Sequence, residues 1–423
     1  MAVYERQTLS NGIRLLTAPM PHAQSVSCFV MYAAGSRYET REAGGIAHFA
    51  EHMFFKGTER RPRSRDITAE IDGIGGEFNA FTGKEYTGYY VRCAADQRGK
   101  AFDVLVDMLR HSKFEPEEIE REKGVIVEEM NMYFDTPRDY IGGLYDNLLY
   151  GDQPLGRDII GTKETVRAAT RDTFLDYVGR WYRPERTVVG VGGKIEGDLV
   201  GDLERLLGDI AGAETGLPQP FDVDAQNGGS RVLLETKASD QAHVCLGVRS
   251  YPLEHPDRYA LQLLATVLGG GMSSRLFTEV RERRGLAYYV FGHNSSYTDA
   301  GSLYAQAGVD INRIDDALAT VVTELRRITE EPVPADELEK ARNSAKGRFV
   351  LQLESPHGTI MFGLRREVLE HRAVEPSEIL AGLDAVTAED VQRVAQDVIG
   401  GNGLNLALIG PFDDAERFDK LLS

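Results

Sequence analysis

The segment Ala47-His48-Phe49-Ala50-Glu51-His52-Met53 carries residue types that can hold a metal ion and move a proton. His48 and His52 stand four apart, so on a helix both imidazoles project from one face, and Glu51 shares that face. Two neutral imidazoles and a third ligand suit tetrahedral zinc with one position open to water. A nearby carboxylate that is not a ligand can then take a proton from that water. The order His-x-x-Glu-His reverses the familiar zinc-peptidase motif yet groups the same side chains. The motif alone is moderately specific, because two surface histidines beside a solvated glutamate would also satisfy it.

A third ligand is expected as a carboxylate on an otherwise apolar helix face. The stretch from Ile119 to Tyr133 offers Glu122 and Glu129, seven apart. Seven residues turn an α-helix through about 700°, so the two fall nearly in line. Val125, Ile126 and Met132 lie on or beside that stripe, where buried carboxylates are costly unless paired or bound to a cation. Glu128 points elsewhere and reads as a solvated charge. An ordinary charged helix is the plain alternative for the whole stretch.

The elements that must position these groups read as a mixed set. Arg14 to Thr17 and Val26 to Ala33 are expected strands, Phe81 to Arg92 a strand pair, and Thr187 to Val191 a buried strand. Ile46 to Phe55, Ile67 to Ile74, Lys100 to His111 and Pro116 to about Tyr133 are expected helices, with Pro116 just inside its helix start. Strand runs followed by helices predict an α+β fold, each domain a mainly antiparallel sheet with helices packed on one face.

The chain also reads as built twice. Glu70-Ile-Asp-Gly-Ile-Gly-Gly76 resembles Glu279-Val-Arg-Glu-Arg-Arg-Gly285, an offset of 279 − 70 = 209. Residues 116–122 resemble 335–341 at 335 − 116 = 219, and Gly193 matches Gly410 at 410 − 193 = 217. Three matches in order predict a duplicated domain. The expected division is a domain over 1–215, a linker over 216–230 and a second domain over 231–423. Around the join, between Gly212 and Ser230, stand Pro218, Pro220, Gly228 and Gly229. At the offset of 219, Glu122 maps to Ala341 and Glu129 to Arg348, so the second copy shows no metal site and is expected to shape a substrate chamber. The triglycine 269–271 lacks the Gly-Lys-Ser/Thr ending of a phosphate loop and reads as a tight turn.

With these residues in view, the sequence resembles the insulinase/pitrilysin family of zinc metallopeptidases, in its mitochondrial-processing-peptidase-like branch. That family carries His-x-x-Glu-His followed downstream by a helical glutamate with another glutamate seven residues before it. Here 129 − 52 = 77 and 129 − 122 = 7. Ala34 to Glu39, Gly44 to His48, Phe54 to Thr58, Asn79 to Thr82 and Gly269 to Phe277 also read as family sequence. The resemblance implies zinc bound by His48, His52 and Glu129, Glu51 as general base, and Glu122 as a catalytic-site carboxylate behind the ligands. Relatives often carry a basic residue before the metal-binding glutamate, whereas Glu128 stands there here. That leaves a one-position ambiguity, in which spacing favours Glu129.

The resemblance further implies an extended peptide added to an edge strand at Asn79, Ala80, Phe81 and Thr82. It implies that Arg281 and Tyr288, 288 − 281 = 7 apart, reach the bound peptide. Tyr288 could donate to a developing oxyanion and Arg281 could fix a carbonyl or carboxylate. Without the family they would read as a packed tyrosine and a solvated arginine. The expected activity is therefore zinc endopeptidase action on short or unfolded peptides within a closed chamber. The rival is a non-catalytic family subunit serving assembly or peptide binding.

Composition sets the outer bounds. The chain has 423 residues, with 48 Lys+Arg against 66 Asp+Glu for a formal charge of −18. Hydrophobic residues at 42% and charged residues at 27% permit a large core and exclude whole-chain disorder. The acidic balance argues against nucleic acid or an anionic membrane as partner. Cys28, Cys93 and Cys245 lie far apart and form no disulfide framework or CxxC motif, which fits a reducing compartment. No basic n-region precedes an apolar run at the start, and no stretch approaches a bilayer span. A cytoplasmic protein is expected. Family members enclose substrate between two two-domain units, so a homodimer is the preferred assembly, with a homologous partner subunit as the other arrangement. Its acidic chamber would favour basic peptides, less so at high salt.

Overall fold

The computed structural model describes residues 2–213, 216, 220–222, 231–401 and 403–422. Most of the expected linker, 216–230, lies outside the described residues.

The first half runs β1 (Glu5–Thr8), β2 (Arg14–Pro19), β3 (Ser25–Tyr32), α1 (Ile46–Phe54) and α2 (Ser64–Asp72). There follow β4 (Glu77–Thr82), β5 (Thr87–Ala94), α3 (Arg98–His111), α4 (Pro116–Phe134) and α5 (Pro137–Tyr150). It ends with α6 (Lys163–Ala168), α7 (Arg171–Trp181), β6 (Thr187–Gly193) and α8 (Leu199–Leu207). The second half repeats this order as β7 (Val232–Thr236), β8 (Gln241–Ser250) and α9 (Arg258–Gly269), with a π-helical turn, Phe277–Glu282, where α2 stood. Then come β9 (Ala287–Ser296), β10 (Gly301–Asp310), α10 (Ile314–Glu330), α11 (Ala335–Gln352) and α12 (Pro356–Glu370). It closes with α13 (Pro376–Ala385), α14 (Ala388–Ala395), β11 (Asn405–Gly410) and α15 (Ala415–Leu422).

The two sheets repeat as well. One has the order β1-β2-β6-β3-β5-β4, the other β7-β11-β8-β10-β9. Each contains a single parallel pairing, β2 with β6 and β7 with β11, among antiparallel neighbours. The expected α+β class, duplicated and mainly antiparallel, is what the chain adopts.

The compact units are not consecutive pieces of sequence. One comprises 1–131, 158–219 and 350–378, the other 132–157, 220–349 and 379–423. Relative to the expected domains 1–215 and 231–423, the segments 132–157 and 350–378 change places. They carry α5 and α12, the counterparts of each other at 356 − 137 = 219.

In the first unit β3 is buried on both faces, because alternate side chains leave a strand in opposite directions. Val26, Cys28, Val30 and Tyr32 join the core beneath α1, α2 and α3. Phe29 and Met31 join a second core with Ile360, Leu364 and Val368 of α12. The expected one-sided helix cover thus extends to one further helix on the other face. Arg14 of β2 donates to the Glu367 carbonyl at 2.8 Å and its carboxylate at 3.0 Å, fixing α12 there. In the second unit, Ile141, Tyr145 and Leu149 of α5 pack on Cys245, Ala407 and Ile409 in the same manner.

Candidate metal centre

α1 begins where Gly45 takes φ 91°, a left-handed conformation that glycine adopts without a Cβ penalty. A Cβ at that position would also come within 2.5 Å of the Ile160 carbonyl oxygen. The free N–H groups at this helix start are met by Glu39, whose carboxylate accepts from Gly45 at 2.8 Å and Ala47 at 2.7 Å. An acid at a helix N-terminus is electrostatically favoured as well. Ile46, Ala47, Phe49, Ala50, Met53 and Phe54 turn into the core. That leaves His48, Glu51 and His52 on the remaining face.

α4 brings its own stripe alongside. Ile119, Glu122, Ile126 and Met130 are its buried residues. Glu129 meets both histidines, its two oxygens each 3.6 Å from a ring Nε2. Ligand atoms of His48, His52 and Glu129 lie within 4.8 Å of one another, a group that could hold a metal ion. Tetrahedral zinc with bonds of about 2.0 Å places its donors about 3.3 Å apart, so the donor set fits zinc. Glu128, one residue earlier, is exposed.

The protonation pattern suits ligation. Burial, with His52 beside it, draws His48 down to about 4, so its imidazole is neutral at pH 7. Its Nδ1 is buried without a hydrogen-bond partner. His52 Nδ1 pairs with Glu122 Oε1 at 2.9 Å. Burial would raise the Glu122 carboxyl, but His52 and Lys56 outweigh it and hold it below its usual value. An ionised carboxylate only accepts, so Nδ1 carries the hydrogen and Nε2 offers its lone pair. Glu122 thus fixes the orientation of the His52 ring.

Glu51 differs from these acids. Burial raises its carboxyl above the ordinary value, partly offset by Thr82 and His52. Thr82 Oγ1 donates to Glu51 Oε2 at 2.5 Å, tying α1 to β4. That strand lies at the sheet edge, as expected, with Asn79 exposed and its Oδ1 accepting from the Ala80 N–H at 2.8 Å. Ala80 and Phe81 are half-buried.

Two contacts here were not legible as site chemistry. Lys56 pairs with Glu122 Oε2 at 2.5 Å. It stands four residues after His52 but two beyond the end of α1, so helical spacing did not announce it. Thr82 holding Glu51 needed the α1–β4 packing, which no local pattern encodes.

In the second unit, the Arg281 guanidinium sits 4.8 Å from the Phe277 ring centre and 5.9 Å from that of Tyr288. The two family-implied residues are thus neighbours, and Tyr288 is 72% exposed. Among the described residues no helix is long and apolar enough to cross a membrane.

The family described as "Insulinase (Peptidase family M16)" matches residues 14–163, and "Peptidase M16 inactive domain" matches 168–345. The uncharacterized zinc protease YmxG of Bacillus subtilis is 38% identical over 96% of this chain and 98% of its own. An uncharacterized zinc protease of Streptomyces coelicolor is 36% identical over 97% of this chain and 90% of its own. A crystal structure of a protease from Helicobacter pylori superposes with a TM-score of 0.89 at 22% identity, covering 97% of this chain and all of that one. A structure titled as a peptidase M16 inactive domain, from Pseudomonas fluorescens, gives 0.86 at 17% identity, covering 97% and 98%.

Proposed function

The chain belongs to the insulinase family of peptidases, and from that premise we propose that it is a zinc-dependent endopeptidase acting on short or unfolded peptides. The observation carrying this reading is the convergence of His48, His52 and Glu129 within 4.8 Å, beside a Glu51 that is not among the ligands. Zinc held by those three side chains supplies Lewis acidity to the peptide carbonyl and to water.

Glu51 is the general base and then the general acid. It accepts the proton of the attacking water and returns it to the departing amine. Its raised pKa suits both roles. Thr82 fixes one carboxylate oxygen and leaves the other to the water. Residues 79–82 on the edge strand offer main-chain groups to an extended peptide, so sequence readout is loose. Arg281 and Tyr288 are proposed as peptide-binding residues of the second half. The proposed assembly is a homodimer in the cytoplasm, for which light scattering should give twice 46.8 kDa.

The rival, a non-catalytic family subunit, draws on the inactive-domain description matched by 168–345. That stretch does not include the metal-site side chains. Stoichiometric zinc by elemental analysis, with cleavage of an unstructured peptide lost in Glu51→Gln, is the expected result. Zinc-replete protein that leaves such peptides intact would overturn the enzymatic reading.

A further inference from the structure

The part of the second unit that corresponds to the metal centre has been rebuilt with the opposite charge. α9 packs on β9 and α14 as α1 packs on β4 and α7. The helices α1 and α9 end at caps Phe55 and Gly270, an offset of 270 − 55 = 215. In that register His48, Glu51 and His52 correspond to Leu263, Thr266 and Val267. Through α4 and α11, Glu122 and Glu129 correspond to Ala341 and Arg348. Thr266, Val267, Ala341 and Arg348 all line one pocket, joined by Ser274 and Lys340. Four of these five degenerate positions still converge, Leu263 being the exception, but carboxylates have given way to a hydroxyl, a methyl group and a guanidinium.

Three observations give this pocket a preference for anions. Its lining carboxylate, Glu337, is engaged by Arg275 at 2.7 and 3.0 Å. Lys340 donates to the Ser273 carbonyl at 2.9 Å, and Arg348 donates to the Gly270 carbonyl and to Ser344 Oγ. Those bonds use a minority of the donors that an ammonium and a guanidinium carry. Ser274 is only 6% exposed, and its hydroxyl has no hydrogen-bond partner. A buried hydroxyl left unpaired is unfavourable until a ligand supplies an acceptor. The triglycine that reads as a plain turn in the sequence forms part of the wall, through Gly270 and Gly271.

We propose that the pocket between α9 and α11 binds a small oxyanion, either inorganic phosphate or the terminal carboxylate of a peptide. Isothermal titration of the zinc-loaded full chain with inorganic phosphate tests it. One phosphate should bind per chain at the pocket. Binding should weaken about tenfold or more in Arg348→Gln, as loss of a charge-assisted hydrogen bond implies, and several-fold in Ser274→Ala. Ser274→Ala removes a group with no internal partner, so its fold is not at issue. Lys346→Gln should bind as the parent does, because Lys346, on α11 but outside the pocket lining, pairs with Asp384 of α13 at 2.8 Å. Competition in Glu51→Gln protein separates the sources. A peptide acid that displaces phosphate while its C-terminal amide does not identifies a peptide carboxylate; no displacement by either identifies free phosphate. Equal affinity in parent, Ser274→Ala and Arg348→Gln, or no binding of either probe at millimolar concentration, would overturn the proposal. The readout is binding, so it stands apart from peptidase activity.

Discussion

At the scale of single residues, His52 is the proposed ligand with the most support around it. Lys56 neutralises Glu122, Glu122 fixes the His52 tautomer, and the ring then faces Glu129. Glu122→Gln should raise the zinc dissociation constant about 10- to 100-fold, the usual cost of losing such a partner. Lys56→Ala, which loosens Glu122 without removing it, should cost less. Competition against a chromogenic chelator measures both, and unchanged zinc affinity in Glu122→Gln would refute the relay. The same residues show why parts of the site were readable. Helix periodicity puts His48 and His52 together on the face of α1 that its apolar residues leave free, and Glu122 and Glu129 in line on α4. Val125 and Met132 beside that line are 51% and 65% exposed, so the expected apolar stripe there is only partly formed. Whether residue 128 or 129 faces the histidines was a question of helix phase, and Glu129 is the one that meets both of them while Glu128 is exposed. Thr82 and Lys56 matter through what they touch across elements, and a one-dimensional pattern does not record that.

At the scale of elements, the start of α1 sets where the histidines lie, and a clasp at Arg61 joins α2 to α3. Gly45→Ala combines φ 91° with a Cβ 2.5 Å from a carbonyl oxygen. It should cost about 1–3 kcal/mol, read as a lower urea midpoint, with reduced zinc content if the first turn of α1 shifts. Arg61 grips α2 and α3 together, bonding Glu70 at 2.8 and 2.9 Å, Asp103 at 2.6 Å and Asp107 at 2.6 Å. Arg61, with Lys100 beyond it, holds the Glu70 carboxyl below its usual value despite some burial. A folded pKa below the unfolded one stabilises above the unfolded value of about 4.3. That contribution is lost as pH falls through the folded value. Urea midpoints of the parent should therefore drop more steeply below about pH 4.3 than those of Glu70→Gln; parallel curves would contradict this. The helices and strands near the site were legible because their apolar periods are regular, and α1, α3 and α4 start or end within two residues of expectation. α5 was not read. Gly142 and Gly143 lower its helix propensity, but Pro137 at its first turn and Ile141, Leu144, Tyr145, Leu148 and Leu149 at helical spacing were signals that went unread.

At the scale of the whole molecule, the duplication was visible in the sequence but the composition of each unit was not. Sequence offsets pair α5 with α12 and say nothing about which sheet either one covers. The first unit takes 350–378 into its core, and that choice has a measurable consequence. A fragment 1–215 would lack α12, leaving Phe29, Met31 and Val188 without their cover and Arg14 without Glu367. A contiguous apolar face and a buried guanidinium stripped of its carboxylate are both strongly unfavourable. Expressed alone, 1–215 should bind a hydrophobic dye and unfold without a sharp transition. Co-expressed with 231–423, which restores residues 350–378, it should recover cooperative unfolding and zinc. A fragment 1–215 that melts cooperatively near the full-length temperature would show that α12 is dispensable to the first unit. The half of this duplicated chain that carries the proposed metal centre would then fold independently of sequence more than 200 residues downstream of it.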